Sequence, residues 1–237
     1  MEAASPLDAL IHGPALAIVI TLIAYMLAGS LHRAMHYPAW APPMLTGSLM
    51  LALMIFLLPL SYSSYYSAAH WLTLLLGPAT VGLAIPLFEQ FQHIRRLLIP
   101  IMVSLIVGSV SACGATLAIA WALGLSPDLL ASLAPKAVTT PIAVGISEGL
   151  GGYPALTAGV VTVTGILAAS VIPVLARLLN CREPGVMGFA LGLNGHGLGT
   201  ARAFTLDPQA GALASLAMGL NGALSAVALP LLAGWLH

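Results

Sequence analysis

Charge is what this sequence has least of. Only 6% of its 237 residues are Asp, Glu, Lys or Arg, and Lys136 is its single lysine. A soluble domain carries about 25% charged residues, so a water-facing surface cannot be built from this chain. Seven basic and seven acidic residues cancel, which excludes a basic patch for nucleic acid and a charged tail. Two cysteines, Cys113 inside an apolar run and Cys181 near a loop, make neither a disulfide framework nor a metal-ligand spacing. The seven histidines lack the His-Glu-x-x-His spacing and an accompanying carboxylate cluster, so neither a metal nor another cofactor is expected. No Gly-x-Ser-x-Gly elbow, Walker loop or dinucleotide fingerprint occurs, and nothing specific marks an enzyme. Strand alternation is missing too, which argues against a β-barrel. The amino end, MEAASPLDALIHG, holds Glu2 and Asp8 but no Lys or Arg, unlike the basic front of a secretory signal.

What is present is apolar length. Hydrophobic residues make up 59% of the chain, with a mean hydropathy of +1.02. Gly13–Leu31, Tyr37–Ala69, Leu97–Pro127, Gly149–Ala176 and Pro208–Leu236 are uncharged runs of about 19 residues or more, and about 20 apolar residues span the hydrocarbon layer as a helix. The sequence therefore predicts an all-α, polytopic membrane protein held in a lipid bilayer, with a single domain over 1–237. Eight elements are expected, near 13–31, 43–60, 71–91, 97–124, 128–148, 154–177, 185–204 and 209–236. Short connections such as HYPAWAPP and SYSSYYSAAH join them. Tyr62, Tyr65, Tyr66 and Trp71 suit a membrane–water boundary.

The basic residues test this count. Lys and Arg in short loops mark the cytoplasmic side. With Arg33, Arg95 and Arg96 inside, element 97–124 ends outside, at the Arg-free GLSPD. Bringing Arg177 and Arg182 inside then needs an odd number of crossings, yet two apolar elements intervene. Either the rule fails at Arg177 or one element does not cross as a simple helix. The better suspect is 128–148, which holds Pro135, Lys136, Pro141 and Glu148. Broken backbone at membrane depth is tolerated inside protein or against a watery cavity. A faint repeat points the same way: GPATVGLAIPL from Gly77 aligns with APKAVTTPIAV from Ala134, pairing Pro78 with Pro135 and, further on, Gly108 with Gly165. The competing explanation is compositional bias, since small residues and Pro match easily here. Paired Pro-interrupted segments are a pointer to a transporter binding site.

Two stretches carry the polar groups. In APKAVTTPIAVGISE, a cation at helix-centre depth costs about 2.5–3.5 kcal/mol and needs a partner or a watery cavity. Lys136 reads as an anion ligand, aided by the Thr139 and Thr140 hydroxyls and a free helix end at Pro141. It also reads as a snorkelling side chain or a partner for Glu148, although about 18 Å of helix would separate that pair. In GLNGHGLGTARA, Asn194, His196, Thr200 and Arg202 lie among Gly192, Gly195, Gly197 and Gly199, and so much glycine weakens a regular helix. An unwound crossing with exposed donors would follow, broken at Gly195, Gly197 and Gly199. His196 would bond substrate or accept a proton, and Arg202 would pair with a carboxylate. Close helix packing is the other reading of these glycines, and Arg202 also reads as a cytoplasmic anchor. Glu89, Gln90, Gln92 and His93 read as a solvated end, and Asn221 as a bond between helices or a group that reaches a cavity.

At these residues the chain resembles the LrgB/CidB family. LLGPATVGLAIPLFEQ (Leu75–Gln90), LAPKAVTTPIAVGISEGLGGYPALTA (Leu133–Ala158) and HGLGTARA (His196–Ala203) look like its signature stretches, and GALASLAMGLNGALSA (Gly211–Ala226) fits its last helix. The likeness runs from about residue 37 to the end. Such proteins were first described as antiholin-like or holin-associated, affecting murein hydrolase activity and lysis. Relatives include the plastidic glycolate/glycerate transporter and bacterial members linked to pyruvate uptake. The resemblance implies an inner-membrane carrier of small 2-hydroxy or 2-oxo monocarboxylates. Its expected site is Lys136, Thr139, Thr140, Asn194, His196, Thr200 and Arg202, with His196 or Glu148 as coupling groups. Further expectations are a small LrgA/CidA-type membrane partner and a homo-oligomer; the rival is a holin- or antiholin-like regulator. Many members have Thr and Ser just before the His, where this chain has Leu193 and Gly195 flanking Asn194.

Overall fold

The computed structural model describes residues 13–35, 41, 43–58, 60–74 and 91–234, together with 82, 85 and 88. Most of the expected element 71–91, including Pro78, Glu89 and Gln90, lies outside the described residues, as does the stretch 1–12. All regular structure among the described residues is helical. Contacts group the chain into two units, Met1–Gly82 and Leu83–His237.

In the first unit, α1 (Pro14–Ala34) and α2 (Pro43–Leu57) pack together, followed by α3 (Tyr62–Ala68) and α4 (His70–Leu74). Proline opens α1 where its missing N–H costs nothing, and Arg33 sits in the last turn. The buried positions of α1 are Ala17, Ile20, Ala24 and Ala28, whereas Leu22, Tyr25 and Met26 are exposed. Small residues inside and large apolar ones outside is the arrangement expected against lipid, where close backbone approach drives packing. Gly47 of α2 accordingly lies against Ala28 and the backbone of Tyr25. SYSSYYSAAH, expected as a plain connection, is instead helical. Ser61 caps α3 by accepting from the Ser64 N–H at 3.1 Å, a local bond that stabilises a helix start. Tyr62 and Tyr66 are exposed, with ring centroids 6.0 Å apart, while the Tyr65 hydroxyl bonds Thr21 Oγ1 at 2.8 Å.

The second unit contains α5 (Phe91–Arg96), α6 (Leu98–Ala122), α7 (Pro127–Leu133), α8 (Thr140–Gly149), α9 (Pro154–Leu178), α10 (Pro184–Leu206) and α11 (Pro208–Gly234). Four described helices in the chain, α1, α6, α9 and α11, are long and apolar enough to cross a membrane. At 25 residues each, α6 and α9 are about 37 Å long, more than the hydrocarbon thickness of about 30 Å. Among the described residues, the expected elements 13–31, 97–124, 154–177 and 209–236 are thus the long spans.

Two expected elements fold back on themselves. The first is α7–α8. Thr157 Oγ1 of α9 bonds both Ser132 O (3.0 Å) and Ser147 Oγ (2.7 Å), residues that would be about 22 Å apart on a straight helix. The Tyr153 hydroxyl, just beyond α8, donates to Asp128 in the first turn of α7 at 3.4 Å. The segment therefore leaves on the side it entered. The second is α10, which turns at His196, φ 38° and ψ −126°. Before the turn, Gly188 and Gly192 lie on Ala210 and Ala214 of α11. After it, Thr200 meets Met218 and Phe204 covers Gly211. The contacts with α11 ascend and then descend. Gly199 lies against the Leu191 carbonyl, a position about 12 Å away on a straight helix.

Candidate functional site

Each folded segment has a tip, and the tips meet. At the first, α7 ends and the chain makes tight turns, with the Lys136 N–H donating to Leu133 O and the Val138 N–H to Pro135 O, both at 3.2 Å. Pro135 and Val138 are buried and Lys136 is half-buried. Thr139 then stands at the N-cap of α8 with extended backbone, φ −64° and ψ 145°. Its hydroxyl makes no cap bond, although Thr is well suited to one. Pro141 in the first turn has no N–H to offer, which leaves the N–H groups of Thr140 and Ile142 at this end. Among the described residues, Lys136 has no ion pair or side-chain hydrogen bond. This tip therefore brings the basic Lys136 side chain beside the partial positive charge of a helix start.

The second tip is Leu193–Gly197. His196 adopts a backbone conformation that residues with a Cβ rarely enter, and it is 5% exposed. Its Nε2 lies 3.0 Å from Val161 O of α9. A carbonyl only accepts, so Nε2 carries the proton and Nδ1 of the neutral ring is left as an acceptor. The ring fits because position 165 is glycine: a Cβ there would stand 2.8 Å from Cε1. Asn194 Nδ2 bonds back to Ala190 O at 3.2 Å, leaving its carbonyl oxygen available. The break in α10 thus falls at His196, between Gly195 and Gly197, while Gly199 supplies close packing of the two halves.

One buried side chain joins the tips. Asn221 of α11 donates through Nδ2 to Ala137 O (2.9 Å) in the first tip and Leu193 O (3.1 Å) in the second. Its Oδ1 accepts from Ser109 Oγ of α6 at 2.7 Å. A second link runs through α9, where Val161 packs with Val138 and Ala143 while its carbonyl holds His196. Lys136, Thr139, Thr140, Asn194 and His196 are therefore gathered onto two tips enclosed by α6, α9 and α11. Thr200 is buried one turn further on, 3.8 Å from Met218 Sδ. Arg202 and Glu148 are not at the tips. Arg202 lies about 9 Å of helix beyond His196, with Nη1 3.5 Å from Thr205 Oγ1 and a buried, unpartnered Nε. Glu148 is exposed at the opposite end of α8 from Thr140. Sequence reading gave Asn221 a helix-to-helix bond but not this junction, and it passed over Ser109, one hydroxyl in an apolar run.

The LrgB-like family model matches residues 21–235. The chain belongs to the LrgB-like family. Among LrgB relatives, the uncharacterized protein YwbG of Bacillus subtilis strain 168 is 34% identical over 215 residues, covering 91% of this chain and 95% of the relative. The uncharacterized protein YxaC of the same strain is 33% identical over 220 residues, covering 93% and 95%. The antiholin-like protein LrgB of Bacillus cereus strain B4264 is 28% identical over 218 residues, covering 92% and 95%. No solved structure matches. LrgB membership and the long apolar helices together make this a membrane protein.

Proposed function

We propose that this LrgB-family chain is a carrier, not an enzyme, and moves small 2-hydroxy or 2-oxo monocarboxylates across the bacterial inner membrane. The glycolate, glycerate and pyruvate class is meant. The observation that carries the reading is the tip-to-tip meeting of two folded segments, one bearing an unpaired Lys136 at the start of α8. Half-helix starts facing a midplane site are how carriers compensate anionic substrates. Lys136 would neutralise one carboxylate, and the Thr139 and Thr140 hydroxyls with the α8 N–H groups would complete its hydrogen bonds, offsetting desolvation. Asn194 Oδ1 and His196 Nδ1 would receive the substrate hydroxyl, and His196 is the candidate for a coupled proton. Because His196 is buried, substrate would reach it by alternating movement of one bundle against another. A small LrgA/CidA-type membrane partner and a homo-oligomer belong to the same proposal.

The test is uptake of radiolabelled pyruvate and glycolate into proteoliposomes. Wild type should saturate and show competition between the two acids, and a correctly folded Lys136→Ala variant should lose uptake. Undiminished uptake by that variant would remove Lys136 from the site. The second reading, a regulator of lysis, is favoured by relatives that bear the name antiholin-like. A pore predicts leakage of unrelated dyes and ions without saturation.

A further inference from the structure

We propose that Asn221 is the positioning residue that locks the two tips together, with Ser109 as its anchor on α6. The role rests on the reading of the tips as the anion site, but the clamp itself rests on geometry. Asn221 is 1% exposed and lies midway along α11. Its three polar contacts engage three different segments: the first tip at Ala137, the second at Leu193 and α6 at Ser109. Only an amide matches this set. Two backbone carbonyls need two donors from one nitrogen, and the Ser109 hydroxyl then finds the one acceptor that remains. Ala137 lies in the turn between α7 and α8, and Leu193 stands three residues before the break at His196, places where an acceptor without a partner away from water is costly. Asn221 supplies a donor to one carbonyl of each tip. The surrounding space is closed: Gly222 next to it leaves no room for a Cβ beside Ile142 Cδ1 of α8, and Gly108 beside Ser109 lies against Leu193. Beside the link through Val161 of α9, one side chain that touches no charged group therefore bonds both tips directly.

The experiment compares the full-length wild type with Asn221→Ala and Asn221→Asp. The second variant keeps the side-chain shape and, protonated, offers at most one donor. Hydrogen–deuterium exchange is read on peptides covering 134–140 and 193–200, and uptake of pyruvate and glycolate is read as KM and maximal rate. Exchange should rise about tenfold at both tips, the loss expected of one or two hydrogen bonds, with α9 unchanged. KM should rise by a similar factor, more than the maximal rate falls. Should Asn221→Ala not survive purification, Asn221→Asp carries the test. Faster exchange at one tip or neither overturns the clamp, and faster exchange at both with unaltered KM overturns the positioning role. If wild type carries neither acid, the transport reading fails while the exchange result still decides the clamp.

Discussion

His196 shows how a residue can hold a backbone conformation it does not favour. Positive φ with ψ near −126° suits glycine, and a side chain there costs about 1–3 kcal/mol. The ring recovers part of that through the bond to Val161 O and its seat on Gly165. Replacement therefore separates the backbone term from the ring term. His196→Gly should unfold at a higher temperature than His196→Ala, with about 1–2 kcal/mol between them. This reverses the usual helix ranking, and thermal unfolding in detergent reads it directly. Both variants should lose substrate competition, because Nδ1 is gone from each. Lys136 obeys a different rule. Its cost is electrostatic, so only a removed charge, as in Lys136→Ala, tests it.

Among the elements, the glycines of α10 divide by what their missing Cβ would meet. Gly188 and Gly192 lie on the backbone of Ala210 and Ala214, Gly199 lies on the Leu191 carbonyl, and Gly197 faces open space. Backbone cannot swing aside as a side chain can. Gly192→Ala and Gly199→Ala should each destabilise by about 1–3 kcal/mol, seen as a lowered unfolding temperature, whereas Gly197→Ala should be nearly neutral. A uniform effect across the three would contradict the fold-back of α10. At α7–α8 the fold-back is held differently, by hydroxyls. Ser132 Oγ donates to Asp128 O and accepts from the Tyr153 N–H, both at 2.7 Å, and Thr157 Oγ1 ties Ser132 to Ser147.

For the membrane-spanning second unit as a whole, the fold-back of α7–α8 fixes how the basic pairs are disposed. Arg95 and Arg96 precede α6, and Arg177 and Arg182 follow α9. With α7–α8 returning to its own side, two crossings separate these pairs and both lie on the same face. The fold-back of α7–α8 thus removes the mismatch in the basic residues. With Ser126→Cys and Glu183→Cys, both exposed positions, an impermeant maleimide should label the first only from outside intact cells. The second should react only from the cytoplasmic side; labelling of both from one side would exclude the returning segment. The order span then fold-back occurs twice, as α6 with α7–α8 and as α9 with α10, about 57 residues apart. One crossing per set inverts the second relative to the first, the arrangement of inverted-topology repeats. The paired glycines, Gly108 and Gly165, both lie under the second tip, against Leu193 and His196.

Composition alone sets the class, because 6% charge and five long uncharged runs permit no surface but one facing lipid. The sequence also located six of its eight elements within a few residues and pointed to the broken one through Pro135, Lys136 and Pro141, since proline and a buried cation have local costs. The fold-back of α10 was less legible, because its glycines read equally as unwinding and as close packing, and both occur within twelve residues. It takes the folded chain to show that Asn194 and His196 lie on a tip that meets the tip of Lys136, that Arg202 and Glu148 do not, and that Asn221 joins the tips. Those facts depend on which carbonyls are left without helix partners and which distant side chain arrives to meet them. No local pattern encodes that meeting.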